Sequence, residues 1–348
     1  MNRTGMFRRL AIGAAALLLA GTAMGQMPAW EKELYEAAKK EKEFTIYQAH
    51  YNSEIAANLC AAFDKKYPGV KCKFSRQTAQ AIYQRFMQDL QANQAVASVF
   101  SSTDVGHFPD LKRRGLLMTY KPHNLSKMSA AMAAANDKDN TYWVTSAGLV
   151  VLSYNSQLVQ PKDAPKKWTD LLDPKWKGKA TIGHPGFSGY VGTWVVMMRK
   201  LYGWEFFEKL EKNQPQIGRS INDTNTMLNA KERWVGASSD ATTLQNKDKG
   251  NPQDVVYPED GAMLMISPTG IPKNAPAPNA AKLWVEFMLD KEAADVQVKD
   301  RAQVVIKGVK TLPGGKSYED LKIIRPTEDE IIKGIPEVIE KFRDTFGV

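Results

Sequence analysis

From Phe44 onward, short apolar runs alternate with amphipathic helical stretches, and that alternation narrows the fold more than any other feature. Phe44 to Tyr47 reads as a strand after a charged amphipathic helix at Trp30 to Lys42. Ser53 is placed to cap the helix carrying Cys60, Val70 to Phe74 reads as the next strand, and Ile82, Phe86 and Leu90 mark one face of a third helix. Val96 to Phe100 is a further short strand. Strands alternating with helices predict an α/β chain whose sheets are mixed, mostly parallel and covered on both faces. A chain of 348 residues is long enough for two such domains. Val144 to Tyr154 is a longer apolar strand, and it predicts a crossing from the first domain into the second. Ala262 to Ser267 is the expected return strand, and Thr327 with Glu330 forms a capping box for a C-terminal helix.

The first residues predict export. Arg3, Arg8 and Arg9 precede an apolar run from Leu10 to Ala20, and Ala23-Met24-Gly25 gives a small-x-small cleavage pattern before Gln26. That order of features is a secretory signal peptide over 1–25, too short in its apolar part to span a bilayer as a permanent helix. The formal net charge of the chain is +9 and stays positive once the signal is removed. The basic residues are scattered, which gives a solvated surface with a mild preference for anions. No nucleic-acid motif is apparent. The two cysteines, Cys60 on the apolar stripe of a helix and Cys72 on the inward face of a strand, point into one helix–sheet layer. An oxidising compartment allows a disulfide between them, and two buried thiols are the alternative.

Ligands of parallel α/β sheets sit beyond the carboxyl ends of the strands. Two polar turns at such ends are Ala49-His50-Tyr51-Asn52 and Ser101-Ser102-Thr103. Ser188 and Gly189 open a helix starting near Tyr190, so its first N–H groups form an anion-binding terminus, or an ordinary capped helix. Arg219, followed by Ser220, ends a short strand, where its guanidinium either forks onto a carboxylate or phosphonate or pairs with Asp223 or Asp260. Asp260 borders the return strand in a Tyr257–Gly261 turn and is read as a cleft residue or a plain turn residue. Tyr51 and Tyr190 are candidates for stacking on a flat ligand. His107, His123 and His184 lack metal-ligand spacing. An enzyme reading finds no Gly-x-Ser-x-Gly elbow, His-Glu-x-x-His helix or Cys-x-x-Cys pair; Gly186-Phe187-Ser188-Gly189 is one residue short of the elbow.

Trp168-Thr-Asp-Leu-Leu-Asp-Pro-Lys-Trp-Lys-Gly-Lys-Ala180 resembles a signature of periplasmic binding proteins of the ferric-iron, thiamine and phosphonate type. Phe44 to His50, Gly148 to Asn155 and Asn279 to Leu289 resemble further segments of that family and occur in family order. The resemblance covers nearly all of the chain after the signal. It implies a type 2 periplasmic binding fold, in which two α/β lobes joined by a crossing-strand hinge trap a solute in the cleft between them. It divides the chain into a first lobe over 26–147, a second over 148–266, a return to the first over 267–310 and C-terminal helices over 311–348 that pack on the second. It also implies a periplasmic monomer that serves an ABC permease and ATPase, without a cofactor or catalytic activity. In ferric members two adjacent tyrosines of the second lobe hold iron, often with a His and a Glu from the first. Here the equivalent place reads Gly236-Ala237-Ser238-Ser239-Asp240, and His50 falls near the family's histidine. Lacking the phenolates, the chain is expected to bind a small organic anion (a phosphonate, organophosphate or carboxylate) through residues including Ser239 and Asp240. A ferric site using His50 and Asp240 is the alternative.

Overall fold

The computed structural model describes residues 27–348. The signal peptide expected over 1–25 lies outside the described residues. Ten strands form one mixed sheet: β1 (Glu43–Gln48), β2 (Lys71–Arg76), β3 (Val99–Ser101), β4 (Tyr142–Asn155), β5 (Ala180–Gly183), β6 (Gln216–Gly218), β7 (Val235–Ser239), β8 (Gln253–Val256), β9 (Ala262–Gly270) and β10 (Ile323–Ile324). Their order is β2-β1-β3-β9-β4-β7-β5-β6, with β10 on β9 and β8 on β4. Within β1–β3 and within β5–β7 the pairings are parallel, and helices connect the strands. The two sets meet only through β4 and β9, which run antiparallel to each other.

β4 explains that arrangement physically. Its fourteen residues are buried almost without interruption, as expected for a strand covered on both faces. Tyr142 to Val150 pair with β9 along nearly its whole length, and Val150 to Asn155 pair with β7 and β8. The register shifts between Val144 and Ser146, a bulge that bends the strand where the two sets join.

The C-terminal region is divided between the two sets. Helix Pro278–Met288 packs on helix Ala29–Glu41, and the Glu41 carboxylate accepts from the N–H groups of Asn279 and Ala280 at its open end. Helix Lys291–Lys299 packs on helix Ser53–Lys66. The last helix, Glu328–Phe346, instead lies against helix Gly189–Tyr202, where a Cβ on Gly192 would meet Ile335 at 3.0 Å and one on Gly334 would meet Val196 at 2.8 Å. Thr327 and Glu330 form the capping box that starts it.

Cys60 and Cys72 are joined by a disulfide, which fastens helix Ser53–Lys66 to β2. Local corrections concern caps and polar helices. Asn52 rather than Ser53 caps the Cys60 helix, because the Asn52 side chain reaches the Ile55 N–H at 3.0 Å. The strand expected at Ile217 to Ser220 ends at Gly218, and Ser220 caps a helix, Ile221–Asn229. Another helix, Asp240–Asp248, follows β7. Both are rich in Asn, Thr and Asp, which give little helical signal on their own. Their serine caps and tertiary packing make them helical.

Candidate functional site

The carboxyl ends of the parallel strands from both sets open onto one cavity of about 50 Å³, space for about four waters. Five helices begin at its wall: Ser53–Lys66, Ala79–Gln91, Gly189–Tyr202, Ile221–Asn229 and Asp240–Asp248. Each starts where a strand has just ended, which follows from the right-handed β–α succession. The positive ends of their dipoles face the cavity, and Asn52, Ser188, Ser220 and Ser239 cap four of the five.

Six of the residues expected from the sequence line this cavity: His50, Tyr51, Ser188, Tyr190, Ser220 and Ser239. The three serines are helix caps. Ser188 Oγ accepts from Val191 N, Ser239 Oγ from Thr242 N, and Ser220 forms a capping box with Asp223. His50 Nδ1 lies 3.1 Å from Ser101 Oγ. Burial first, and then the Arg76 charge, push the His50 pKa down to about 3. Tyr51 Oη accepts from Gln297 Nε2 at 2.7 Å, and burial raises its phenol. Tyr190 Oη is 2.8 Å from Ser267 Oγ, and burial pushes its pKa up to about 12.

The other expected residues have different places. Ser101 is buried behind His50, where it donates to the Pro268 carbonyl and accepts from Thr269. Ser102 holds His107 Nδ1 and the Asp104 N–H. Gly189 is pressed against the Thr103–Asp104 backbone. Asp240 is fully buried beneath the cavity; its oxygens accept from Leu149 N and Gln303 Nε2, and burial pushes its pKa up to about 6.

Arg219 and Asp260 stand outside the cavity lining. Arg219 is exposed and stacks on Phe187, with its guanidinium carbon 5.1 Å from the ring centre. It borders an outer depression that shares Arg76, Thr78 and Ser220 with the cavity. Asp260 does not line the cavity. Its Oδ2 accepts from Trp168 N at 3.0 Å and Tyr202 Oη at 2.6 Å, so it fixes the Trp168 turn.

The cation that does line the cavity is Arg76, the last residue of β2. Its Nε donates to the Tyr51 carbonyl at 3.1 Å, which holds the guanidinium beside His50. Burial lowers its pKa and the Asp223 charge partly opposes that shift. Thr78 follows it, and its Oγ1 is buried without a partner among the described residues. Neither residue was singled out from the sequence. The strand-end rule that selected Ala49 to Asn52 would also have selected Arg76-Gln77-Thr78 had β2 been extended by two residues. Asn52, Ser146, Asn222 and Thr242 complete the polar wall.

Both halves of the sheet close on the cavity. Asn52 Nδ2 donates to Gln245 Oε1 at 2.7 Å, and Glu54 pairs with Lys249. Of the alternative ferric pair, His50 stands beside the Arg76 charge, and the Asp240 oxygens accept from Leu149 N and Gln303 Nε2. Among the described residues no three His, Cys, Asp or Glu side chains converge.

The family model of bacterial extracellular solute-binding proteins matches residues 94–308. The chain belongs to that family. This solute-binding protein is thus a component of an ABC transporter, the class that works with a permease and an ATPase. It is 23% identical over 303 residues to an uncharacterized protein of Haemophilus influenzae, covering 84% of this chain and 83% of that one. It is 27% identical over 174 residues to a putative 2-aminoethylphosphonate-binding periplasmic protein of Salmonella paratyphi A, spanning 47% of this chain and about half, 51%, of the relative. Among solved structures, the solute-binding protein resembles the periplasmic binding protein AfuA of Actinobacillus pleuropneumoniae with fructose-6-phosphate bound. The TM-score is 0.78 at 23% identity, over 88% of this chain and 99% of AfuA. Iron-bound HitA of Pseudomonas aeruginosa gives a TM-score of 0.72 at 20% identity, over 87% and 99%. At these identities the structures establish the shared fold.

Proposed function

We propose that the solute is a small organic anion whose oxyanion head (phosphonate, phosphate ester or carboxylate) occupies the cavity beside Arg76. The observation that carries this reading is the convergence of one half-buried guanidinium with five helix N-termini. Such termini bind oxyanions through backbone N–H groups, and a charge-assisted guanidinium contact contributes about 1.5–3 kcal/mol. Thr78 Oγ1 supplies one more donor. A phosphonate is the named ligand of the Salmonella relative and a sugar phosphate that of AfuA, and both present such a head.

In this reading, residues 26–147 with 267–310 form one lobe, and residues 148–266 with the C-terminal helices form the other. The exported monomer closes over its solute in the periplasm and presents the closed form to the permease, a hinge transition of known type. It performs no chemistry on the solute.

A thermal-shift panel of methylphosphonate, glycerol 3-phosphate, succinate and ferric citrate tests the assignment. A ligand at a hundred times its dissociation constant stabilises the protein by about 2.7 kcal/mol. A shift with one oxyanion class that Arg76→Ala clearly reduces is the expected result. A shift with ferric citrate alone, unchanged in Arg76→Ala, would replace the anion reading with a metal site.

A further inference from the structure

We propose that the solute bears its charge at one end only, and that its remaining part is uncharged and hydroxyl-bearing rather than an amine. This inference rests on the oxyanion reading of the same cavity and specifies what is attached to the head.

The electrostatics of the wall favour it. Arg76 lines the cavity and helix N-termini face it from both halves of the sheet, so a positively charged substituent would be desolvated beside a guanidinium. Nearby carboxylates are committed elsewhere. Asp240 accepts from Leu149 N and Gln303. Asp104 accepts from Gly106 N and Gln80. Asp223 holds the N–H groups of Arg219 and Ser220. Among the described residues none of these three lines the cavity.

The neutral part of the wall fits hydroxyl groups. Asn52, Asn222, Ser146 and Thr242 line it alongside the Tyr51 and Tyr190 phenols. Such amides and hydroxyls both donate and accept, as a solute hydroxyl does. His50, held neutral by burial beside Arg76, adds no negative charge.

Isothermal titration of the mature chain with methylphosphonate, 2-hydroxyethylphosphonate and 2-aminoethylphosphonate isolates the substituent, because the head is common to all three. The expected result is measurable binding of the first two, with 2-aminoethylphosphonate at least tenfold weaker than its hydroxyl counterpart. Equal or tighter binding of the amine overturns the inference while leaving the oxyanion reading intact. No binding of any of these, nor of inorganic phosphate or glycerol 3-phosphate, removes the oxyanion reading and this inference with it.

Discussion

A Cβ placed on Gly189 would lie 2.4 Å from the carbonyl carbon and oxygen of Thr103 and from the Asp104 nitrogen. The obstacle is backbone, so it cannot rotate away. Gly189 starts the helix after β5, whereas Thr103 follows β3, and the contact therefore joins the two halves of the sheet beside the cavity. Gly189→Ala should hold the halves apart. Solute affinity should fall at least tenfold, and the unliganded protein should show a larger radius of gyration by small-angle scattering. Unchanged affinity would mean that this approach is not needed for closure.

Arg76 and Arg219 differ in burial, and their variants should differ accordingly. Losing a charge-assisted contact of about 1.5–3 kcal/mol weakens binding by roughly 10- to 150-fold. That loss is expected for Arg76→Ala, whose side chain lines the cavity. Arg219→Ala, removing an exposed stack on Phe187, should change affinity less than threefold by titration calorimetry. The opposite ranking would return the counter-charge to Arg219.

The Cys60–Cys72 bond closes a loop of 12 residues' separation. Loops of that size restrict the unfolded chain by about 3 kcal/mol. A double Cys60→Ser, Cys72→Ser variant should lose about 2–4 kcal/mol in urea unfolding and retain its solute affinity, because neither cysteine lines the cavity. Loss of binding in the folded variant would show that the bond positions the Asn52 end of its helix.

His50 sets an acid limit. Its pKa falls from 6.5 to about 3 on folding. Between those values the unfolded chain binds a proton that the folded chain refuses, so the His50 contribution is fully present above pH 6.5 and lost as pH falls toward 3. Asp240 acts with the opposite sign: its pKa is raised to about 6, and its contribution is lost as pH rises from 3.8 through 6. Comparing wild type with His50→Gln by chemical denaturation at pH 7, 5.5 and 4.5 separates the two. The variant should lose less stability on acidification. Parallel curves would place the acid sensitivity elsewhere.

Local pattern in the chain was enough for the α/β alternation, the long crossing strand at Val144 to Tyr154, the helix opening at Ser188 and the two cysteine faces, because each depends on periodicity or capping within a few residues. The family resemblance likewise rested on contiguous segments. Tertiary structure decided the rest. Arg76 and Arg219 both stand at strand ends, and no local feature separates them. Parallel pairing of β2 with β1 brings Arg76 beneath the Tyr51 carbonyl, whereas Arg219, one residue past β6 at the sheet edge, turns outward onto Phe187. Asp260 is drawn to Trp168 and Tyr202, residues 92 and 58 positions away in sequence. Which side chains share the cavity depends on sheet order, register and closure of β4 against β9, and those are set by contacts distant along the chain.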